Sequence, residues 1–538
     1  MTPITMPAIH YVVILPELIF AGAALLLLIT TSLVRGRLSR QVGTVVVVVA
    51  CLATLADCVV QWRDVLSHGA STTAAHAVVE DGFAVVAISI LAVALGLSAL
   101  VADGWLARAR IEGVELHILA LASATGAVLM AQANDLVVIF LGLEILSIGL
   151  YVLTAMDRRS SRSGEAAMKY FILGGFSSAI FVYGIALVYG ATGTTQLGQM
   201  ASFLSLNLLK SDGLLLAGVT LLLVGFAFKV AAVPFHVWSP DVYEGAPTPV
   251  TGFMAAIVKV GAFAAVLRVL ASALWTQQSG WRPMVWALAA LSMLVGAGLA
   301  AVQRNVKRLL AYSSVSHAGF ILMGLWAASP RGTASSLYYL AVYALLVVGS
   351  FAVVSVVSAD GREDLTDYRG LATRRPWLAA SFTVLLLAQA GVPFTTGFLA
   401  KLYVLEAALA HLGAAGAALG VIAMIAAAIG GYFYLRLVVL CYASPRGADS
   451  VDPGSEPSRA TSRLAVVGSG ILVTDDRDGA SEDRLDSSRS EGVDTGLEPV
   501  PVLTSIAIGL CVVPTIVFGI WAAPLADLAA RATMLFHP

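Results

Sequence analysis

The stretch Leu221–Arg268, LLLVGFAFKVAAVPFHVWSPDVYEGAPTPVTGFMAAIVKVGAFAAVLR, sets two apolar runs on either side of a proline-rich interruption, and each run carries one lysine. A lysine centred in hydrocarbon costs roughly 2.5 to 3.5 kcal/mol on insertion scales, so Lys229 and Lys259 require either a neutralising partner or a use. Between them Pro234 interrupts the helical hydrogen bonding, and the carbonyls it frees are tolerable at membrane depth only against protein or a wet cavity. Broken helices beside buried charges are how ion pathways are built.

The rest of the chain has the same character. Of 538 residues, 59% are hydrophobic and only 12% charged, and the mean hydropathy is +0.87. Such a chain is an all-α polytopic membrane protein, not a soluble domain. Its net charge of −1 leaves no basic surface for nucleic acid. Cys51, Cys58, Cys441 and Cys511 lie in or beside apolar runs without CxxC spacing and read as small buried hydrophobes, not as zinc or iron–sulfur ligands. The first apolar run, Tyr11–Val34, is too long for a signal-peptide core and has no basic segment before it.

At about 20 apolar residues per span, helices are expected near 9–34, 42–60, 82–102, 114–133, 135–156, 168–190, 212–233, 250–271, 283–302, 308–327, 333–357, 377–411, 415–442 and 501–522, about fourteen in all. Alternate loops carry the arginines: Arg35, Arg37 and Arg40; Arg108 and Arg110; Arg158, Arg159 and Arg162; Arg304, Lys307 and Arg308; Arg362, Arg369, Arg374 and Arg375. The other loops hold little beyond Arg63, Lys210, Arg282 and Arg331. The positive-inside rule therefore places both termini on the outer face of a cell membrane. From Ser444 to Val500 the composition turns to Asp, Glu, Ser, Arg and Gly, as in an inserted cytoplasmic loop that is mostly disordered. Its VVGSG string lacks the third glycine and the βαβ setting of a dinucleotide site.

The tripeptide VPF occurs twice, at Val233–Phe235 after Lys229 and at Val392–Phe394 before Lys401, about five spans apart. An odd separation reverses the membrane sense, so the second unit runs inverted relative to the first. The expected organisation is three helices in 1–111, one five-helix unit in 112–271, a second in 272–443, the polar loop 444–500, and a last helix with its tail in 501–538.

Within this frame, Glu144 is a lone carboxylate in DLVVIFLGLEILSIGLYVL, and Lys229 is its obvious counter-charge; a protonated glutamate hydrogen-bonded to a neighbouring helix is the alternative. Lys259 sits among small residues that allow close helix packing, and structural ion-pair duty is its alternative. Lys401 follows the second break without an acid in its own first turn and reads as the terminal station of a charge relay. His236 lies in the first break and His317 inside a span, where a relay role and a packing role are both open. Lys169, Lys307 and Tyr312 are weaker candidates, since the two lysines lie near helix ends where snorkelling explains them equally well. No nucleotide loop, metal-ligand cluster or nucleophile–base pair is visible, so no redox or hydrolytic step is expected of this chain alone.

The segments KVAAVPFHVWSPDVYEGAPTPVTGF, NVKRLLAYSSVSHAGF, EAAMKYFILGGFSS and GVPFTTGFLAKLYVL resemble the antiporter-like membrane subunits of respiratory complex I, from about Glu112 to Tyr442. PDVYEGAPTPV and the lysine, in place of glutamate, at position 401 look most like the N-type branch of that group in bacteria. The resemblance implies fourteen helices with two inverted five-helix repeats, each containing a broken helix. It implies Glu144 and Lys229 as a coupling ion pair, Lys259 as the central connecting lysine and Lys401 as the exit-side lysine. His236, His317, Lys169, Lys307 and Tyr312 match polar positions of the family's motifs. It further implies other membrane-arm subunits as partners within the bilayer, with NADH, flavin, iron–sulfur clusters and quinone in other subunits and no cofactor here. The polar loop 444–500 departs from the family. A subunit of a multi-subunit cation/proton antiporter is the alternative; a non-transporting scaffold is a third reading, disfavoured by the cost of three buried lysines.

Overall fold

The computed structural model describes residues 9–34, 38–207, 213–358, 363–410, 413–444 and 499–534. The chain opens with α1 (Leu15–Leu33) and α2 (Arg40–His68), then an antiparallel hairpin of β1 (Ser71–Thr73) and β2 (Val78–Glu80), then α3 (Gly82–Arg108). Helices α4 (Glu115–Gln132), α5 (Leu136–Thr154), α6 (Ser161–Thr192), α7 (Leu197–Leu206) and α8 (Gly213–Lys229) lead to the first break. Beyond it come α9 (Trp238–Gly245), α10 (Thr248–Arg268), α11 (Gln278–Val302), α12 (Val306–Trp326) and α13 (Pro330–Val357). The short α14 (Leu371–Arg374) precedes α15 (Pro376–Ala390), α16 (Thr396–Leu409), α17 (Ala414–Tyr442), α18 (Val502–Ile520) and α19 (Ala523–Met534).

Among the described residues, twelve helices are long and apolar enough to cross a membrane. The two other expected spans are the ones the breaks shorten. The run 212–233 is helical only to Lys229, and 377–411 is not one span but two helices parted at Gly391–Thr395. The reason for the second parting is local. Gly391 has φ +88, where side chains with a Cβ are disfavoured, and a Cβ there would stand 3.0 Å from the Lys401 side chain. The hairpin, α7 and α19 were not expected from hydropathy, being short or half-polar. The described residues within 9–443 and 501–534 form one compact unit. The expected loop 444–500 lies, except at its ends, outside the described residues.

Capping follows the sequence. Asp135 accepts from Val137 N at the start of α5, Asn305 from Arg308 N at the start of α12, and Ser329 from Gly332 N, with Pro330 at the first position of α13. Glycines let helix pairs close on one another. A Cβ on Gly184 of α6 would stand 2.8 Å from Leu222 N, and one on Gly218 of α8 would stand 2.8 Å from Val188 N. Every residue of α10 is buried and α12 and α13 are almost wholly so, whereas most of α1, α17 and α18 is exposed or half-buried. The helices carrying Lys259 and His317 are thus the innermost, and the outer ones present apolar side chains to lipid.

The buried pair of Arg268 and Asp81 joins α10 to the start of α3. The guanidinium makes two bonds to the carboxylate, at 2.7 and 3.0 Å, and its Nε donates to Ala131 O at 3.1 Å, while Asp81 also caps α3 through Ala84 N. Both side chains are 1% exposed or less, so removing one charge strands the other. Arg268→Leu should therefore destabilise the fold by about 3–5 kcal/mol. The thermal midpoint of the detergent-solubilised protein checks this, and an unchanged midpoint would contradict it. Adding Asp81→Leu should recover only part of the loss, because the cap goes with the carboxylate.

Candidate functional site

Two lysines stand at the carbonyl ends of the two shortened helices, where a cation meets the negative end of the helix dipole. Lys229 is the last residue of α8 and is 2% exposed. Its Nζ donates to Ser147 Oγ of α5 at 2.6 Å and lies 5.5 Å from the Tyr170 ring centre and 5.8 Å from that of Tyr151. Lys401 of α16 is half-buried, and its Nζ donates to Gln389 O and Ala390 O at the end of α15, both at 2.8 Å. It also lies 5.3 Å from the Phe320 ring centre.

Lys259 occupies the middle, 2% exposed, with its Nζ donating to Ser314 O and Ser314 Oγ of α12. Tyr343 donates to the same Ser314 hydroxyl at 2.7 Å, and its ring centre is 5.2 Å from Lys259 Nζ. No carboxylate among the described residues lies within 4 Å of this ammonium, which rests on neutral oxygens alone. Next in sequence to Ser314, Ser313 hydrogen-bonds the Tyr434 hydroxyl of α17. That hydroxyl also meets His317 Nε2 at 3.1 Å and donates to Gln389 Oε1 at 3.3 Å, while His317 Nδ1 meets Tyr339 OH at 2.7 Å. Gln389 Nε2 donates to Ser350 Oγ at 2.7 Å. Buried polar groups therefore run from Lys259 to Ser314, and from the adjacent Ser313 through Tyr434 to the Gln389 side chain, whose backbone carbonyl holds Lys401, with His317 bonded to Tyr434.

The expected direct pair of Glu144 and Lys229 is not formed. No oxygen of Glu144 lies within 4 Å of Lys229 Nζ; the carboxylate instead accepts a hydrogen bond from Ser178 of α6. Serines are interposed on both sides, and Ser147 follows Glu144 by three residues on the same face of α5. Between Lys229 and Lys259 the step is lined by aromatic rings, with Tyr170 stacked on Trp238 at 4.6 Å and Trp238 6.3 Å from Tyr243.

The weaker candidates Lys169, Lys307 and Tyr312, and with them His236, fall elsewhere. Lys169 pairs with Glu165 at 2.8 Å and Asp241 at 2.9 Å, and Arg308 bridges Asp241 at 2.7 Å and Glu244 at 2.8 Å. This is a water-facing network. Partial burial lifts the Asp241 carboxyl, but hydrogen bonds from Lys169 and Arg308 outweigh it and hold the group below its usual value. Lys307 is buried behind that network, paired with Glu363 at 2.9 Å and donating to Ala246 O at 3.2 Å. His236 and Tyr312 are half-exposed and face each other with ring centres 6.2 Å apart, outside the polar line.

Several members of the line carried little sequence signal. Gln389 was discernible as a lone amide in LLLAQAGVPF, two residues before a break. Ser313 and Ser314 precede His317 by one turn in SSVSH. Tyr434 is one of three tyrosines in GGYFYLRLVVLCY and nothing local sets it apart.

A lysine–histidine–lysine line between two broken helices, enclosed by helices that face lipid, defines an antiporter-like membrane protein. Residues 133–430 match the family described as NADH:quinone oxidoreductase/Mrp antiporter, TM. NADH-quinone oxidoreductase subunit N of Trichlorobacter lovleyi is 42% identical over 398 residues, 74% of this chain and 81% of that protein. The chain belongs to this family, and its N-type relatives are the branch expected from PDVYEGAPTPV and Lys401. Among solved structures, a chain of respiratory complex I from Thermus thermophilus is 29% identical, with a TM-score of 0.72 over 96% of this chain and 99% of the other. A chain of the Mrp complex from Dietzia shares the fold, with a TM-score of 0.77 over 97% of both chains at 20% identity.

Proposed function

We propose that this chain is the N-type membrane subunit of an NADH-quinone oxidoreductase and carries protons across the membrane while quinone is reduced elsewhere in the complex. It holds no redox centre of its own; NADH, flavin, iron–sulfur clusters and quinone belong to other subunits, and its partners are the other membrane-arm subunits. Two inverted five-helix units, 112–271 and 272–443, build the path, and both termini lie on the outer face.

The observation that carries this reading is the Lys259–Ser314–Ser313–Tyr434–Gln389–Lys401 line. Its side chains are hydroxyls, an amide and amines that can hand on a proton or orient its donor, with Ser314 and Ser313 joined as sequence neighbours and Lys401 held by the Gln389 carbonyl, and His317 can take either role. Glu144 and Lys229 form the control end, and Lys401 the release end. The buried tyrosines Tyr151 and Tyr170 beside Lys229 carry hydroxyls through which the path continues towards Lys259. Lys169, Lys307, His236 and Tyr312 serve the water-facing end, delivering protons to the line. The cation/proton antiporter reading rests on the shared family and fold, the Mrp chain being 20% identical, below the 42% of the N-type relative.

Tyr434→Phe tests the path with one atom, since that hydroxyl joins Ser313, His317 and Gln389. In membrane vesicles, proton pumping per quinone reduced should fall about threefold to tenfold, or about 0.7–1.4 kcal/mol of barrier, with the complex still assembled. An assembled variant that pumps normally would remove Tyr434 from the path.

A further inference from the structure

Far from the Lys169 and Arg308 network, at the other end of α11, a groove of about 600 Å³ opens between the starts of α11 and α17 and the end of α12. Its walls include Ser279, Arg282, Pro283, Trp286, Trp326 and Gly416, and Arg282 is the one charged residue among its described lining. The guanidinium lies 4.8 Å from the Trp326 ring centre, and its Nε donates to Trp326 O at 3.1 Å. These contacts fix the plane of the fork. Its two terminal nitrogens have no hydrogen-bond or ion-pair partner among the described residues. Trp286 is anchored in turn by Nε1 to Ala415 O at 2.9 Å. Towards mid-membrane the same helices present Leu291, Val421 and Met424, 44%, 61% and 60% exposed, so the groove continues into a lipid-facing surface.

A planar, permanently charged fork with free donors matches two oxygens of a phosphate. Tryptophans mark the level of the headgroups. The volume lies within the range of sites that hold small ligands, about 300–1,000 Å³. No carboxylate is among the described residues that line the groove to receive a cationic headgroup. Arg331, at the start of α13, is by contrast paired with Glu406 at 2.5 Å.

We propose that this groove is a binding site for an anionic phospholipid, its phosphodiester held by the terminal nitrogens of Arg282 and its glycerol and first acyl carbons lying against Trp286 and Trp326. The lipid seats the α11–α12 hairpin against α17. It thereby braces α12, which carries Ser313, Ser314 and His317, and α17, which carries Tyr434.

The test uses the whole assembled complex in phosphatidylcholine vesicles containing a trace of photoactivatable phosphatidylglycerol or, separately, photoactivatable phosphatidylcholine. Cross-linked peptides are then read by mass spectrometry. The phosphatidylglycerol probe should label peptides bearing Trp286 or Trp326 about fivefold more than the phosphatidylcholine probe, the factor expected for one arginine at an anionic headgroup. Arg282→Gln should abolish that preference and Arg282→Lys should keep part of it. Equal labelling of the unaltered complex by the two probes would overturn the proposal without recourse to any variant. So would an absence of labelling, which would mean that a neighbouring subunit fills the groove, or full displacement by inorganic phosphate, which would make the ligand a free anion and not a lipid.

Discussion

Lys259→Ala should leave the complex assembled and lower quinone-reducing turnover and proton pumping together to roughly a tenth or less, at least about 1.4 kcal/mol of barrier. Lys259 is 2% exposed and is held only by Ser314 oxygens and the face of Tyr343. Removing it takes away a costly buried charge without stranding an opposite one, so folding should survive better than in Arg268→Leu. What is lost is the amine that bonds Ser314 at the start of the polar line. Lys259→Met, which keeps the length of the stem, should be as inactive as Lys259→Ala, separating the amine from its packing. Lys259→Arg should not restore pumping, because a guanidinium does not readily release its proton. Pumping in vesicles, quinone reduction and native-gel assembly give the readouts; full activity in the arginine variant would leave Lys259 a merely electrostatic role.

Much of this arrangement was legible in the sequence because the bilayer makes charge conspicuous. Lys229, Lys259 and Lys401 each stand out in a long apolar run, and the structure sets Lys229 and Lys401 at helix ends beside the VPF breaks. Span positions were legible for the same reason, since about 20 apolar residues are required to cross. Which face of a span looks inward was not. A buried membrane helix is apolar all round, so α10 carries no stripe that distinguishes its core from its periphery. The hydroxyl links were hidden differently. A serine in a membrane helix ordinarily bonds back to its own carbonyls, as Ser147 does to Leu143 O, and only the fold reveals that it also receives Lys229. Charge complementarity alone suggested that Glu144 and Lys229 touch; the intervening Ser147 and Ser178 could not be read from spacing.

That correction sharpens the expected behaviour of Glu144. Lys229 Nζ rests on Ser147, one turn along the same face of α5 from Glu144, while the carboxylate is held by Ser178. In the proposed gate, a rotamer change in the lysine exchanges the serine for the carboxylate. Closing from about one helical turn to about 4 Å gains roughly 1–2 kcal/mol at an effective dielectric near 20, close to a tenfold change in the balance between the two arrangements. A difference of that size can be switched by a neighbouring event, whereas a tight salt bridge would lock. In the proposed function, the arrangement with the charges apart is one position of a gate, and a paired arrangement is the other. With the pair apart, the ammonium loses its counter-charge and its proton is free to move towards Lys259. Glu144→Gln abolishes the paired position and should depress proton translocation about tenfold in a complex that still assembles. Glu144→Asp should do so only mildly, because a carboxylate remains on the same face. Ser147→Ala offers an independent check, since it removes the resting place of Lys229 and should bias the gate towards the pair. It should slow pumping less than Glu144→Gln, because it weakens one position without deleting the other. Measurement of pumping and quinone reduction in vesicles of all three variants decides the matter, and a well-assembled Glu144→Gln complex that pumps normally would refute the gate.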